Sequence, residues 1–342
     1  MPRVSILLTC YNHLAYLPAA WAGIESQTFR DFEIIAIDDG STDGTREWLC
    51  RFPSPDSGEG QGGGAGLQPS GSPDAGRLPA VREGDAGGTP AVQVKVIFNE
   101  TNLGTYGTLN RALDAASGEF IAILNDDDVW LPDKLAAQVA LMERHPEVGL
   151  VHTDGYFIDG KGERLEGSPL GFEFPRTETG DVLLDLVYQN KIIASAALVR
   201  RYCFDELGGF NPNYFGSGDW EMWLRIAEKH QVGYVDEELT LYRVHGANAS
   251  HKLDRIWRDD EMLREWLAPR LKNLSGRFPE EAIRRAQAHN WACIGTVRTL
   301  NGDPAGGRQA YSKSMALMPG RFKSRLRWLA TFLPRSLFRR LI

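Results

Sequence analysis

The chain has 342 residues, 42% of them hydrophobic and 24% charged, which describes a globular protein of one large domain plus an appendage and excludes a disordered or fibrous chain. No apolar run reaches the roughly 18 residues of a bilayer span, and the N-terminus enters a strand-like segment with no signal-peptide h-region, so a cytoplasmic location is expected. The net charge is −7, but residues 304–342 carry nine Lys/Arg and no Asp/Glu, which leaves −16 on the first 303 residues. An acidic body argues against general nucleic-acid binding. The four cysteines, Cys10, Cys50, Cys203 and Cys293, form no CxxC pair. They read as reduced thiols rather than a disulfide framework or a zinc site.

The first half of the chain alternates strand and helix signals. Val4 to Thr9 reads as a buried strand, and Leu14, Leu17, Trp21 and Ile24 recur at helical spacing. Phe32 to Ile37 is the second strand, followed by a helix from Thr42 to Phe52. Residues 53–91 hold eleven Gly and six Pro and no aromatic residue. They cannot bury enough apolar surface to offset their ordering entropy and read as a disordered surface insertion. Val92 to Phe98 is the third strand, Thr108 to Ala116 a helix stopped by Gly118, and Phe120 to Leu124 the fourth strand. This alternation predicts an α/β fold with a mainly parallel central sheet and helices on both faces.

The second half is less regular. Strands are expected over Val148 to Phe157 and Ile192 to Arg200, with further strand segments in Val232 to Tyr242. Helices are expected over Val182 to Tyr188 and Asp219 to Lys229. From residue 251 onward the reading is helical: Ile256 to Leu271, Glu280 to Leu300 and Gly307 to Leu317. The division expected is a domain over 1–250 and a helical region over 251–342.

Polar groups gather where three of these strands end. The first ends in Thr9-Cys10-Tyr11-Asn12, the second in Asp38-Asp39-Gly40-Ser41, and the fourth in Asn125-Asp126-Asp127-Asp128. In an open α/β sheet, ligands bind outside the carboxyl ends of the strands. Clustered carboxylates there repel one another, and a hard cation such as Mg²⁺ or Mn²⁺ relieves the repulsion. The competing reading of the acidic run is a loop that caps the next helix, since Pro132 favours a first helical turn. Neither a P-loop nor a convincing GxGxxG loop is present, so a nucleotide would be held through carboxylates and a metal.

These strand-end segments, with Asn102-Leu103-Gly104, Ala116-Ser117-Gly118-Glu119, Val129-Trp130, Gly208-Gly209-Phe210, Asp219-Trp220-Glu221-Met222-Trp223-Leu224-Arg225 and Tyr242-Arg243-Val244-His245-Gly246-Ala247-Asn248, form an ordered series. The series resembles the signature of family 2 glycosyltransferases over about residues 3 to 250, insertion apart. The resemblance implies a GT-A (Rossmann-like) fold and inverting sugar transfer from a nucleotide-sugar, with UDP the expected nucleotide and GDP and dTDP the alternatives. It implies a glycan or lipid-linked acceptor. It places Asp38 and Asp39 near the donor base and ribose, with Thr9 and Tyr11 beside the base and Asn125 and Asp126 at the nucleoside. Asp127 matches the metal-binding position, His245 approaches the metal or diphosphate, and the cofactor is Mn²⁺ or Mg²⁺.

Asp219 matches the catalytic base; its competing reading is a helix N-cap. Two positions depart from the family pattern. Asn125 replaces the usual first Asp of the metal motif, with Asp126 and Asp128 expected to compensate, and Gly218 stands where Glu often precedes the base. Arg243 has the charge for a diphosphate or for a local carboxylate, and Trp220 reads as core or as an acceptor-facing ring. Two rival functions are a nucleotidyltransferase, which would carry a basic Gly-rich loop after the first strand, and a non-catalytic relative that binds a glycan or protein. The basic, apolar stretch 320–342 fits an interfacial helix on an anionic membrane leaflet, or a surface helix packing its apolar side on the body.

Overall fold

The computed structural model describes residues 1–52, 92–167, 169–248 and 251–341; the expected 53–91 insertion lies outside them. Three strands form the centre of the sheet: β1 (Val4–Cys10), β2 (Phe32–Asp38) and β4 (Phe120–Asn125). Their apolar runs are buried on both faces, as parallel strands covered by helices require. With β3 (Gln93–Phe98) they pair in parallel, and Thr9 lies opposite both Ile37 and Asn125. The carboxyl ends of β1, β2 and β4 therefore share one edge.

Helices α1 (Leu17–Glu25), α2 (Thr45–Leu49) and α3 (Gly104–Ala115) follow the first three strands. Beyond β4 the chain turns at once into β5 (Val129–Trp130), then α4 (Lys134–Arg144), β6 (Val148–Ile158) and α5 (Leu183–Tyr188). The expected strand over Ile192 to Arg200 forms only as β7 (Leu198–Arg200), because residues Ala194–Ala196 make a 3₁₀ turn. That turn carries Ser195 into the interior, where its hydroxyl meets Asp128. Next come α6 (Arg201–Leu207), α7 (Gly218–Lys229) and β8 (Gln231–Arg243), a single strand where the sequence suggests segments.

The sheet order is β3-β2-β1-β4-β7-β6-β8-β5. It is mixed: β6 and β8 are parallel, while β7 runs antiparallel to β4 and β6, and β5 antiparallel to β8. The last pairing matters most for the site. Val129 lies opposite Leu241, so the turn before β5 sits beside the end of β8.

The C-terminal helices are α8 (Leu253–Arg270), α9 (Glu280–Leu300), α10 (Pro304–Leu317), α11 (Phe322–Ala330) and α12 (Arg335–Leu341). Leu263, Leu267 and Ile283 join the same apolar cluster as Leu186 and Trp223, which fixes α8 and α9 against α5 and α7. None of the helices described is long and apolar enough to cross a membrane.

Candidate active site

The three carboxylates between β4 and β5 occupy a tight turn, in which the Asp128 N–H donates to the Asn125 carbonyl at 3.2 Å. They point three ways. Asp128 is buried and accepts hydrogen bonds from the Ser195 hydroxyl at 2.5 Å and the Arg243 N–H at 2.9 Å. Burial, and then the neighbouring Asp127 charge, push its carboxyl well above the usual range. Asp128 is thus committed to the interior and does not compensate for Asn125 in the cleft. Asp126 accepts from the Tyr11 N–H at 2.9 Å and from His13 Nδ1 at 2.8 Å, which ties the end of β1 to the end of β4.

Asp127 faces the end of β8. Its Oδ2 accepts from His245 Nε2 at 3.0 Å and from Asn248 Nδ2 at 3.4 Å. Its carbonyl accepts from Arg243 Nε at 2.7 Å. Arg243 also donates to the Asp159 carbonyl at 2.8 Å and lies over the Tyr16 ring, and it is buried. Its role is to brace the turn, and it is not free to meet a diphosphate.

One ligand atom each from His13, Asp127 and His245 lies within 4.8 Å of the others. The two imidazoles meet edge to face at 5.0 Å. His13 uses Nδ1 on Asp126, which leaves Nε2 as its ligand atom; a carboxylate on the far nitrogen is the usual way a metal-binding histidine is oriented. Burial opposes charge on this imidazole, but the hydrogen bond and charge of Asp126 outweigh it and raise its pKa. The donor set fits a divalent cation. Two imidazoles disfavour Mg²⁺, which binds through carboxylates and waters, and suit a transition-metal ion such as Mn²⁺ better. His13 carries no sequence signal of its own. It becomes visible once the order β1-β4 puts the loop after β1 beside the acidic turn.

The next strand end carries Asp38 and Asp39, and their side chains differ. Asp39 is engaged by Asn99 Nδ2 at 2.7 Å and by the N–H groups of Leu103 and Gly104 at 2.8 and 3.0 Å, so it anchors the start of α3. Asp38 accepts from the Ser41 N–H at 3.1 Å, and its Oδ2 is buried with no partner among the described residues. The loops after β1 and β2 are stitched together: the Asn12 N–H donates to Ser41 Oγ, and Asn12 Oδ1 accepts from the Thr42 N–H. Asn12 does this at a φ of +55°, a left-handed conformation that Asn tolerates. Thr9 sits between the two acidic strand ends, and Tyr11 is exposed beyond it.

Asp219 opens α7. Its Oδ1 accepts from the Tyr106 hydroxyl at 3.3 Å and its Oδ2 from Asn190 Nδ2 at 3.4 Å. Burial pushes its pKa up to about 6, against the opposing hydrogen bonds from Trp220, Tyr106 and Asn190. Tyr106 lies two residues beyond Gly104, the donor to Asp39. The first turn of α3 therefore touches both carboxylates, and Asp219 faces the same region as the β2 end.

Gly218 is explained by the same contact. A Cβ there would lie 2.7 Å from the Tyr106 ring, so the glycine leaves room for the phenol that reaches Asp219. Gly218→Ala is expected to displace Tyr106 and lower kcat about tenfold, the worth of one hydrogen bond to a charged group, with nucleotide affinity unchanged in a parallel titration. Trp220 and Trp223 are structural. Their indole N–H groups donate to the Leu186 and Ile192 carbonyls at 2.8 and 3.1 Å, and Trp223 is fully buried.

The loop before Asp219 is held from below. Asp259 of α8 is buried and accepts from the N–H groups of Phe215, Gly216 and Ser217 at 2.6–3.0 Å. Nothing in the local sequence marks Asp259, because it sits about forty residues from the loop it holds. Asp259→Ala strands three N–H groups and is expected to cost about 2–4 kcal/mol in thermal or urea unfolding.

Solved structures of similar fold are glycosyltransferases of the GT-A fold. Residues 1–349 of S. aureus TarS in complex with UDP-GlcNAc align with 98% of this chain and 90% of that one, at a TM-score of 0.64 and 14% identity. A mannosyltransferase from Pyrobaculum calidifontis in complex with GDP-Man and Mn²⁺ aligns with 99% of this chain and 83% of that one, at a TM-score of 0.54 and 19% identity. The family model described as Glycosyl transferase family 2 matches residues 5–58 and 90–208. The chain belongs to that family and is a glycosyltransferase.

Among sequence relatives, an uncharacterized glycosyltransferase of Methanocaldococcus jannaschii is 26% identical over 75% of this chain and 74% of its own length. A PGL/p-HBAD biosynthesis glycosyltransferase of Mycobacterium tuberculosis is 27% identical over 66% of this chain and 69% of its own. A Rickettsia conorii glycosyltransferase is 25% identical over 71% of this chain, which spans about a third of that protein.

Proposed function

We propose that this chain transfers a sugar from a nucleotide-sugar to a hydroxyl of a glycan or lipid-linked acceptor, with inversion at the anomeric carbon. One observation carries the reading: the first turn of α3 joins Asp39, at a strand end, to Asp219, a carboxylate whose pKa is raised to about 6. A base with that pKa is mostly ionised at neutral pH and still basic enough to take a hydroxyl proton in the transition state. The acceptor oxygen forms its bond to the anomeric carbon as Asp219 takes the proton. The bond from that carbon to the diphosphate breaks, and the nucleoside diphosphate leaves with the electron pair. Tyr106 and Asn190 aim the Asp219 carboxylate.

On the donor side, the free Oδ2 of Asp38 is the natural acceptor for a nucleoside N–H or ribose hydroxyl, with Thr9, Tyr11, Asn125 and Asp126 around it and Asp39 setting the loop. His13, Asp127 and His245 would hold a divalent cation, which neutralises the charge that builds on the departing diphosphate. Mn²⁺ is the expected ion. UDP is the expected nucleotide, in keeping with the TarS complex, and the GDP-Man complex of the mannosyltransferase keeps GDP as the competitor. Proton NMR of the fresh product tests the stereochemistry. An anomeric coupling opposite to that of the donor supports the reading, and retention contradicts it.

A further inference from the structure

A surface helix ordinarily turns its apolar stripe inward. Helix α11 does the reverse. Phe322, Leu326 and Leu329, with Leu333 just past the helix end, recur at helical spacing along one stripe, and they are 66%, 49%, 59% and 42% exposed. The side facing the body carries Ser324, buried with its hydroxyl 3.2 Å from that of Ser314, together with the buried Thr331 and the half-buried Trp328. The ridge continues through Phe332, Leu337 and Leu341 of the following turn and α12, all exposed. Phe338 is fully buried and pins α12 down, so the outward display is a fixed property of the fold.

Basic residues surround these apolar side chains. Arg321, Lys323, Arg325, Arg327, Arg335, Arg339 and Arg340 lie in or beside the two helices, and no Asp or Glu occurs from residue 304 onward. Of these seven cations only Arg335 forms an ion pair among the described residues, with Asp254 at 3.3 Å.

We infer that residues 321–341 form a docking surface for an anionic lipid bilayer, with the Phe/Leu ridge entering the headgroup–acyl boundary and the Lys/Arg groups meeting lipid phosphates. Charge chooses this occupant. A second copy meeting the ridge across a two-fold axis would set the same cations face to face, whereas lipid phosphates neutralise them. Apolar insertion plus a polybasic patch is the pairing that gives stable peripheral attachment. The inference stands on this surface alone and does not depend on the transfer reaction.

The test is flotation of the full chain with vesicles of phosphatidylcholine alone or with about 30% phosphatidylglycerol. The expected result is at least about tenfold more bound protein on the anionic vesicles, falling steeply with added salt. The triple variant Phe322→Ser, Leu326→Ser, Leu329→Ser alters only exposed positions. It should lose about tenfold or more of this binding with an unchanged melting curve, and Lys323→Glu with Arg325→Glu should do the same. No flotation, equal binding to neutral vesicles, or undiminished binding by the triple variant overturns the inference. So does a dimer in sedimentation that the triple variant abolishes. Nucleotide titration of the same samples reads the donor site separately.

Discussion

Asp219→Asn is expected to lower kcat about a thousandfold or more while leaving the nucleotide dissociation constant unchanged. The amide keeps the size of the carboxylate and can still accept from Tyr106, but it cannot take the acceptor proton, and general-base catalysis of this kind contributes about 10²–10⁴-fold. Wild-type kcat/KM should fall with decreasing pH through about 6, where Asp219 becomes protonated, and this limb should vanish from the residual activity of the variant. The folded-state pKa lies above the ordinary 3.8, so protonated Asp219 is the form the fold prefers. Stability from this group is complete below about 3.8 and is lost as pH rises through about 6. At pH 8 Asp219→Asn should therefore be more stable than wild type, by about 1–2 kcal/mol after allowing for solvent access to the cleft. Denaturant titrations at pH 5 and pH 8 check the sign. An N-cap role alone predicts the opposite: little change in kcat and a modest loss of stability.

The second large effect concerns His13, the ligand candidate that the sequence reading leaves out. If His13, Asp127 and His245 share one cation, removing any of the three should cost about tenfold to a hundredfold or more in Mn²⁺ affinity. His13→Ala is the most informative variant, because His13 also braces Asp126 and the loop that ends in Tyr11. Direct Mn²⁺ titration by electron paramagnetic resonance separates the two roles. Loss of the metal with a retained melting temperature identifies a ligand. Loss of thermal stability with retained Mn²⁺ affinity identifies a brace.

The sheet centre was legible because β1, β2 and β4 are short apolar runs, each followed at once by polar groups, and parallel strands put those ends on one edge. The second half was harder. Ile192 to Arg200 has the apolar content of a strand, yet its residues are buried by a 3₁₀ turn, and burial alone does not tell the two apart. Helix α4 begins just after Pro132, but the burial of its first residue, Lys134, against Gln138 and the Trp130 ring is not legible, since a cation is not expected there.

Within the site, the acidic turn, Asp219 and His245 are visible as residues, but which way each carboxylate points is not. Asp128 turns inward to Ser195, and Asp39 is spent on the start of α3; both contacts depend on pairings between distant segments. His13 and Asp259 are hidden for the same reason. Each acts on a group more than forty residues away, and no local spacing records it.

The central claim, a nucleotide-sugar site built around a shared cation, is tested most directly by calorimetric titration of the wild-type chain and Asp127→Ala with UDP, GDP and dTDP, each with and without Mn²⁺. The account predicts Mn²⁺-dependent binding of one of the three, with UDP expected, weakened about a hundredfold or more by Asp127→Ala. Binding that is indifferent to Mn²⁺ and to Asp127, or no binding of any of the three nucleotides, would contradict it.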